Sequence, residues 1–244
     1  MGNYAVVFAG GIGSRMQSQS GVPKQFLELH GKTIIEYTLE HFENCADIDA
    51  VAVAIVADRL DQMRRIVKKA GFEKVKWIVP GGVSGQESIF HGLRAIYEGI
   101  EHRPDDVVLI HDGVRPLIEP SLLSSAIDCV RKNGSAVTIV PAIETIIKVD
   151  DAGMITETID RKDCRMARAP QGYFLEELYA LHEQARAEGK AHVYIDSASM
   201  MLANGRQLYT IEGKSENIKI TTPFDFYAFK AILDAKENQQ VWGI

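Results

Sequence analysis

At 244 residues the chain is long enough for one large α/β domain or a domain with an appendage, and 46% hydrophobic with 25% charged side chains is ordinary globular composition. A formal net charge of −6 argues against a general nucleic-acid binder, whose surface would be basic, and suits a small anionic substrate held by a few concentrated cations. Cys45, Cys129 and Cys164 are widely spaced and form no CxxC pair, which argues against a zinc site and predicts reduced thiols in a cytoplasm. The N-terminus enters a strand without a charged leader, so no signal peptide is expected, and no apolar run approaches the ~20 residues of a membrane span.

In chain order, residues 4–8 are an apolar, β-branched run that predicts a buried first strand. A glycine-rich stretch follows, and helical periodicity then runs over 34–42. A second strand is predicted at 51–56, a basic amphipathic helix at 60–70 and a third strand at 74–79. Pro80-Gly81-Gly82 breaks the chain, and Ser84 with Glu87 matches a capping box opening a helix to about residue 97. The fourth strand, 107–110, ends abruptly in His111-Asp112-Gly113-Val114-Arg115-Pro116, before a helix over 120–131 and a strand at 136–140. Alternating strands and helices with short links predict a mostly parallel sheet covered on both faces, within one domain spanning 1–244.

Residues 141–163 break this rhythm. Two short strands, 145–149 and 154–159, flank Asp150-Asp151-Ala152-Gly153, a hairpin turn signal. A lone hairpin is marginal in water and is expected to pack against something. Beyond it come Ala169-Pro170-Gln171-Gly172-Tyr173-Phe174, a helix to about residue 188, a short helix opened by Asp196, a strand at 208–211, and a last helix to about 237. Thr222-Pro223-Phe224-Asp225 reads as the start of that helix, with Thr222 the cap and Asp225 complementing the dipole, rather than as a metal site.

The chain is organised around Phe8-Ala9-Gly10-Gly11-Ile12-Gly13-Ser14-Arg15-Met16 and Pro23-Lys24-Gln25-Phe26-Leu27. Glycines free of side chains let backbone N–H groups converge on an anion, and Arg15 and Lys24 add cations beside that nest. A dinucleotide fingerprint fails, because Met16 stands where a third glycine is required. A Walker loop fails too, with Phe26 in place of glycine five positions before Gly31-Lys32-Thr33. What remains, G-G-x-G-x-R-M followed by P-K-Q-F-L, resembles the signature of sugar-nucleotide pyrophosphorylases. Its Pro-Lys-Gln form resembles the polyol-phosphate cytidylyltransferases, among them the 2-C-methyl-D-erythritol 4-phosphate and ribitol-5-phosphate enzymes. The resemblance spans essentially the whole chain.

The resemblance implies a three-layer, Rossmann-like nucleotidyltransferase sheet with a protruding β-hairpin arm at 141–163 that embraces a second subunit. It assigns Arg15, Lys24 and Lys219 to the triphosphate of CTP and the transition state, where cations oppose charge growing on the phosphoryl oxygens. Gly10, Gly11 and Gly13 would bind nucleotide phosphates through their backbone, and Ala9, Gly82 and Ser88 would line the cytosine pocket. Asp112, at a strand's carboxyl end, would lie near both substrates and hold Mg²⁺, while Arg115 would bind the acceptor phosphate. Thr145 and Arg161 match acceptor-binding positions, the arginine reaching into the partner's site. His111 is expected to pack or hydrogen-bond rather than act as a base. No base is needed, because a phosphate monoester near neutral pH is already mostly ionised.

Two departures fall at the acceptor end. Ala169 replaces the threonine usual before Pro170-Gln171, and Arg165 stands where the erythritol enzymes often carry an aromatic. These, with Gly10 in place of alanine and Val114 after Gly113, lean towards ribitol 5-phosphate. Asp160-Arg161 and Asp196-x-Ala198-Ser199 resemble the erythritol branch instead. The expected activity is therefore CTP-dependent transfer of CMP to a polyol phosphate by a cytoplasmic homodimer, without nucleic acid or membrane as partner. The alternatives are the 2-C-methyl-D-erythritol 4-phosphate acceptor, or a non-catalytic nucleotide-binding regulator on the same fold.

Overall fold

The computed structural model describes residues 1–10 and 21–242. From the amino end, β1 (Asn3–Ala9) leads to a tiny hairpin of β2 (Glu28–Leu29) and β3 (Lys32–Thr33), then α1 (Ile34–Glu43). Three β–α units follow: β4 (Ala50–Ile55) with α2 (Leu60–Ala70), β5 (Val75–Pro80) with α3 (Gly85–Gly99), and β6 (Val107–Asp112) with α4 (Pro120–Asn133). Next come β7 (Ser135–Pro141), β8 (Ile146–Val149), β9 (Ile155–Ile159) and β10 (Arg165–Phe174). The chain closes with α5 (Leu175–Ala187), α6 (Ser197–Ala203), β11 (Thr210–Glu212) and α7 (Pro223–Trp242).

Among the described residues, seven strands form one sheet in the order β11-β7-β10-β6-β1-β4-β5. Every residue of β4 and β6 is buried, as a strand covered by helices on both faces requires. Ala5, Val7 and Ala9 of β1 point into a core with α1, α2 and α4, while Val6 points to the opposite core with α3, α5 and α6. A third cluster joins Ile34 and Leu29 to Val114, Leu117, Ile220 and Phe229, fastening α7 beside the loop that follows β6.

Helix starts follow local chemistry. Thr33 and Glu36 close a capping box at α1, with the Glu36 carboxylate accepting from the Thr33 N–H at 2.7 Å. The box predicted at α3 forms only in part. Ser84 Oγ accepts from the Glu87 N–H at 3.1 Å, but the Glu87 carboxylate takes the N–H of Val83, one residue upstream. At α7, Asp225 Oδ2 accepts from the N–H groups and hydroxyls of both Thr221 and Thr222, so the predicted helix start is what the carboxylate does there.

Two elements lie outside the sequence expectations. The β2–β3 turn places both His30 and Gly31 at positive φ, 51° and 78°, as a two-residue hairpin needs. More consequentially, residues 165–174 are a strand, β10, inserted antiparallel between β6 and β7. Pro170 and Gly172 are poor strand residues, but the β10–β7 register shifts between Ala167 and Gln171, so Pro170 sits in an irregularity. Gly172 is required by packing: a Cβ there would meet Val130 at 2.7 Å and Leu109 at 2.9 Å.

Residues of the predicted arm do form a hairpin, β8 with β9, as a separate two-stranded sheet. Its turn is tied by Asp150 Oδ1, which accepts from the N–H groups of Ala152 and Met154. Ile143, Val149, Met154 and Ile155 are exposed.

Candidate active site

In an open α/β sheet the crevice lies beyond the carboxyl ends of the strands, where the order of connection reverses. Here that point lies between β1 and its neighbours β4 and β6. β1 runs into Gly10 and β6 ends on Asp112, and the Gly113 N–H donates to Phe8 O at 2.9 Å, tying the two ends together. A cleft of ≈ 280 Å³ opens there, lined in part by Phe8, Gln86, Asp112, Arg115, Arg168 and Lys219.

Asp112 is the electrostatic centre of this cleft. Its Oδ2 accepts from Arg115 Nε at 2.8 Å, and its Oδ1 pairs with Lys219 Nζ at 2.6 Å. Burial alone would raise its pKa, but Lys219 and then Arg115 outweigh that and hold the carboxyl at about 2. Asp112 is therefore a carboxylate at any working pH. Arg115 is fixed a third way, Nη1 donating to Asn217 O at 3.0 Å. Its own carbonyl meets His111 Nε2 at 3.2 Å. His111 is fully buried, and burial pushes its pKa down to about 4 against the pull of Asp112, so it is a neutral packing residue at neutral pH.

On the other side of β1, the end of the strand meets the turn between β5 and α3. Ser88 is buried at the foot of that turn; its Oγ donates to Ser84 O at 2.9 Å and accepts from the Gly82 N–H at 3.0 Å. Gly10 packs directly on this arrangement, for a Cβ there would lie 2.4 Å from Ser88 Oγ and 3.2 Å from Gly81 Cα. Below it, the buried Gln25 donates from Nε2 to Ala9 O at 2.8 Å, and Phe26 enters the core. Lys24 is thereby held at the carboxyl end of β1.

Comparison with known proteins identifies the family. The profile of IspD, 2-C-methyl-D-erythritol 4-phosphate cytidylyltransferase, matches residues 4–235. The chain belongs to the IspD family of cytidylyltransferases. It is 47% identical over 241 residues to the ribitol-5-phosphate cytidylyltransferase of Vibrio parahaemolyticus, covering 99% of this chain and 100% of that one. It is 38% identical to the 2-C-methyl-D-erythritol 4-phosphate cytidylyltransferase of Geotalea uraniireducens, over 97% of this chain and 98% of that one. Among solved structures, the 4-diphosphocytidyl-2C-methyl-D-erythritol synthase of Anaerococcus prevotii superposes with a TM-score of 0.80 at 26% identity, covering 96% of each chain. The mostly parallel nucleotidyltransferase sheet expected from the sequence is thus the fold observed.

Of the site residues named from the sequence, the structure brings Asp112, Arg115 and Lys219 into direct contact. It places Ala9, Gly10, Gly82 and Ser88 side by side at the other flank. Gly11, Gly13 and Arg15 lie outside the described residues. Thr145 and Arg161 are exposed on and beside the arm and do not line the cleft of their own chain; Arg161 Nη1 donates to Ile143 O at 3.1 Å. Arg168, in contrast, was not singled out and does line it. Its signal was present only as a cation one residue before Ala169-Pro170, in a segment without a strand pattern.

Asp112 also bears on a metal. Each of its oxygens keeps a lone pair beyond the one engaged by a cation, and a hard carboxylate with substrate phosphates is a common Mg²⁺ environment. Among the described residues the only cluster with three close metal-ligand groups, His30, Asp234 and Glu237, lies elsewhere. The donor set in the cleft therefore fits an ion held by one carboxylate plus phosphates, not a protein-only cage.

Proposed function

We propose that the chain transfers the cytidylyl group of CTP to ribitol 5-phosphate, forming CDP-ribitol and pyrophosphate. An oxygen of the acceptor phosphate attacks the α-phosphorus, and the bond from that phosphorus to the oxygen bridging to the β-phosphate breaks. The observation that carries the reading is the buried Asp112 pinned between Arg115 and Lys219 at the end of β6. It keeps two cations in fixed positions where negative charge would grow, so little reorganisation is needed at the moment of reaction. Lys24 would face the triphosphate from the end of β1, and Gly82 and Ser88 would offer fixed donors and acceptors to the base. Mg²⁺ held by Asp112 would supply Lewis-acid neutralisation of the phosphates.

The ribitol acceptor is supported by the 47% identity to a ribitol-5-phosphate enzyme against 38% to a methylerythritol-phosphate one. The loss of a hydroxyl at Ala169 and the gain of a cation at Arg165 point the same way. The second reading, 2-C-methyl-D-erythritol 4-phosphate as acceptor, draws on Asp160-Arg161 and the Asp196 pattern. The active form would be a homodimer in the cytoplasm. Apolar Ile143, Val149, Met154 and Ile155 on the arm offer an interface, and all three cysteines are free thiols. No helix among the described residues is long and apolar enough to cross a membrane.

The deciding measurement is pyrophosphate release with CTP and Mg²⁺, comparing both acceptors at equal concentration. Faster turnover with ribitol 5-phosphate is expected; a preference for the erythritol acceptor would transfer the assignment to the second reading, and release with neither would remove both. Chelation with EDTA should abolish turnover and added Mg²⁺ restore it.

A further inference from the structure

Two guanidinium groups in the cleft share one acceptor. Arg168 Nη1 donates to Asn217 O at 2.7 Å and to Ser215 O at 2.9 Å, while Arg115 Nη1 donates to the same Asn217 O at 3.0 Å. The two nitrogens can thus be no farther apart than these two bonds laid end to end. The carbonyl that gathers them is itself rigid. Asn217 is buried, and its Nδ2 donates to Ala169 O at 2.8 Å, joining the segment before α7 to the irregular part of β10.

The charges around this pair do not balance. The positive charges of Arg115 and Lys219 share Asp112. Asp196, the other acid lining the cleft, has its oxygens engaged by Gln171 Nε2 and the Ser199 N–H. Arg168 bonds only to carbonyl oxygens among the described residues. Burial holds its pKa below the usual guanidinium value, repulsion from Arg115 adds to this, and Glu216 offsets it only in part. A dianion is the ligand that such a pair of cations lacks, and paired planar forks suit the oxygens of a phosphate monoester.

We propose that Arg168 and Arg115 together grip the acceptor's phosphate, making Arg168 a specificity-determining residue that takes up the role of the hydroxyl missing at Ala169. The inference rests on the cytidylyl-transfer reading above. It assigns Arg168 to the polyol phosphate and not to the nucleotide, because its tethers are on the Ser215–Asn217 segment and it shares the Asn217 carbonyl with Arg115.

The test is steady-state kinetics of full-length Arg168→Gln and Arg168→Lys, with CTP and acceptor varied separately and thermal stability measured alongside. Losing one charged fork should raise the acceptor KM by roughly 10- to 100-fold while the KM for CTP stays within about twofold. Lysine, which keeps the charge, should recover part of that loss. A residue that merely braces the Asn217 segment would raise both KM values together or lower Tm without separating them, and that result overturns the proposal, as does a glutamine variant no worse than the lysine one. Should the glutamine variant not fold, wild-type crystals soaked with ribitol 5-phosphate decide. Phosphate oxygens within about 3.2 Å of both guanidinium groups support the clamp, and a phosphate seated away from Arg168 refutes it. Wild-type protein that turns over neither polyol phosphate would defeat the reaction itself; an active wild type beside an Arg168→Gln variant with unchanged acceptor KM defeats only the clamp.

Discussion

Around Lys24, neighbouring side chains decide where one ammonium can stand. Gln25 and Phe26 are buried, one bonded to Ala9 O and the other in the core, so the backbone between them and Pro23 is held against the end of β1. Lys24→Ala should therefore leave the fold intact and lower turnover at least ~100-fold, the scale of losing one transition-state charge contact. Near-normal turnover in a folded variant would take Lys24 out of the mechanism. Gly10 is decided by space instead. Gly10→Ala would press a methyl onto Ser88 Oγ, displacing a hydroxyl that bonds to the Gly82 N–H and Ser84 O. The KM for CTP should rise about 5- to 10-fold, the worth of roughly one hydrogen bond, with the acceptor KM unchanged. Equal nucleotide affinity in the two proteins would dissociate Ser88 from base recognition.

Among the elements, β6 and the arm differ in how the sequence shows them. The uninterrupted apolar run of β6 announced a buried strand and therefore a site at its end, which is why Asp112 was legible in the sequence, while Arg115 was marked by the family resemblance. β10 was not. Pro170, Gly172 and the cations Arg165 and Arg168 conceal a strand whose existence depends on β6 and β7 being in place to flank it. Arg168 was hidden with it. The arm is a hairpin that buries little of itself, and Arg161 at its base is exposed and does not line its own cleft. Arg161→Ala should abolish acceptor saturation while CTP binding persists. Mixing it with a Lys219→Ala chain should restore part of the activity if one subunit serves the other's cleft. A mixture no more active than its components would show that no arm crosses between subunits, and collapse of CTP affinity in Arg161→Ala alone would show that the arginine serves the nucleotide.

On the scale of the whole molecule, two buried imidazoles link folding to acidity. His111 and His182 are both held at about 4, His111 by burial against the pull of Asp112, His182 by burial reinforced by Arg186. Unfolded, each would titrate near 6.5. Between these values the unfolded chain binds protons that the folded chain refuses, so stability falls as pH falls through that window, by up to about 3 kcal/mol per ring. Asp112 acts lower down. Its pKa of about 2 lies below the ordinary 3.8, so its contribution is complete above 3.8 and is lost only as pH drops towards 2. Thermal melts should thus show Tm declining between pH 6.5 and 4.5, with a shallower decline in His182→Leu. A flat Tm over that range would mean that one or both rings are accessible to protons in the native state.

Local composition by itself determined the α/β class, the helix starts at Thr222 and Asp196 and the strand that ends on Asp112. Each of these follows from side-chain periodicity or from bonds reaching only three or four residues along the chain. Tertiary structure alone decided the antiparallel insertion of β10, the seat of Gly10 on Ser88, and the meeting of Arg115 and Arg168 on one carbonyl 102 and 49 residues away. Those contacts join segments with no shared periodicity. They exist only because the sheet, once formed, brings the carboxyl ends of its parallel strands and the amino end of antiparallel β10 to one edge, where charges distant in sequence must find common partners.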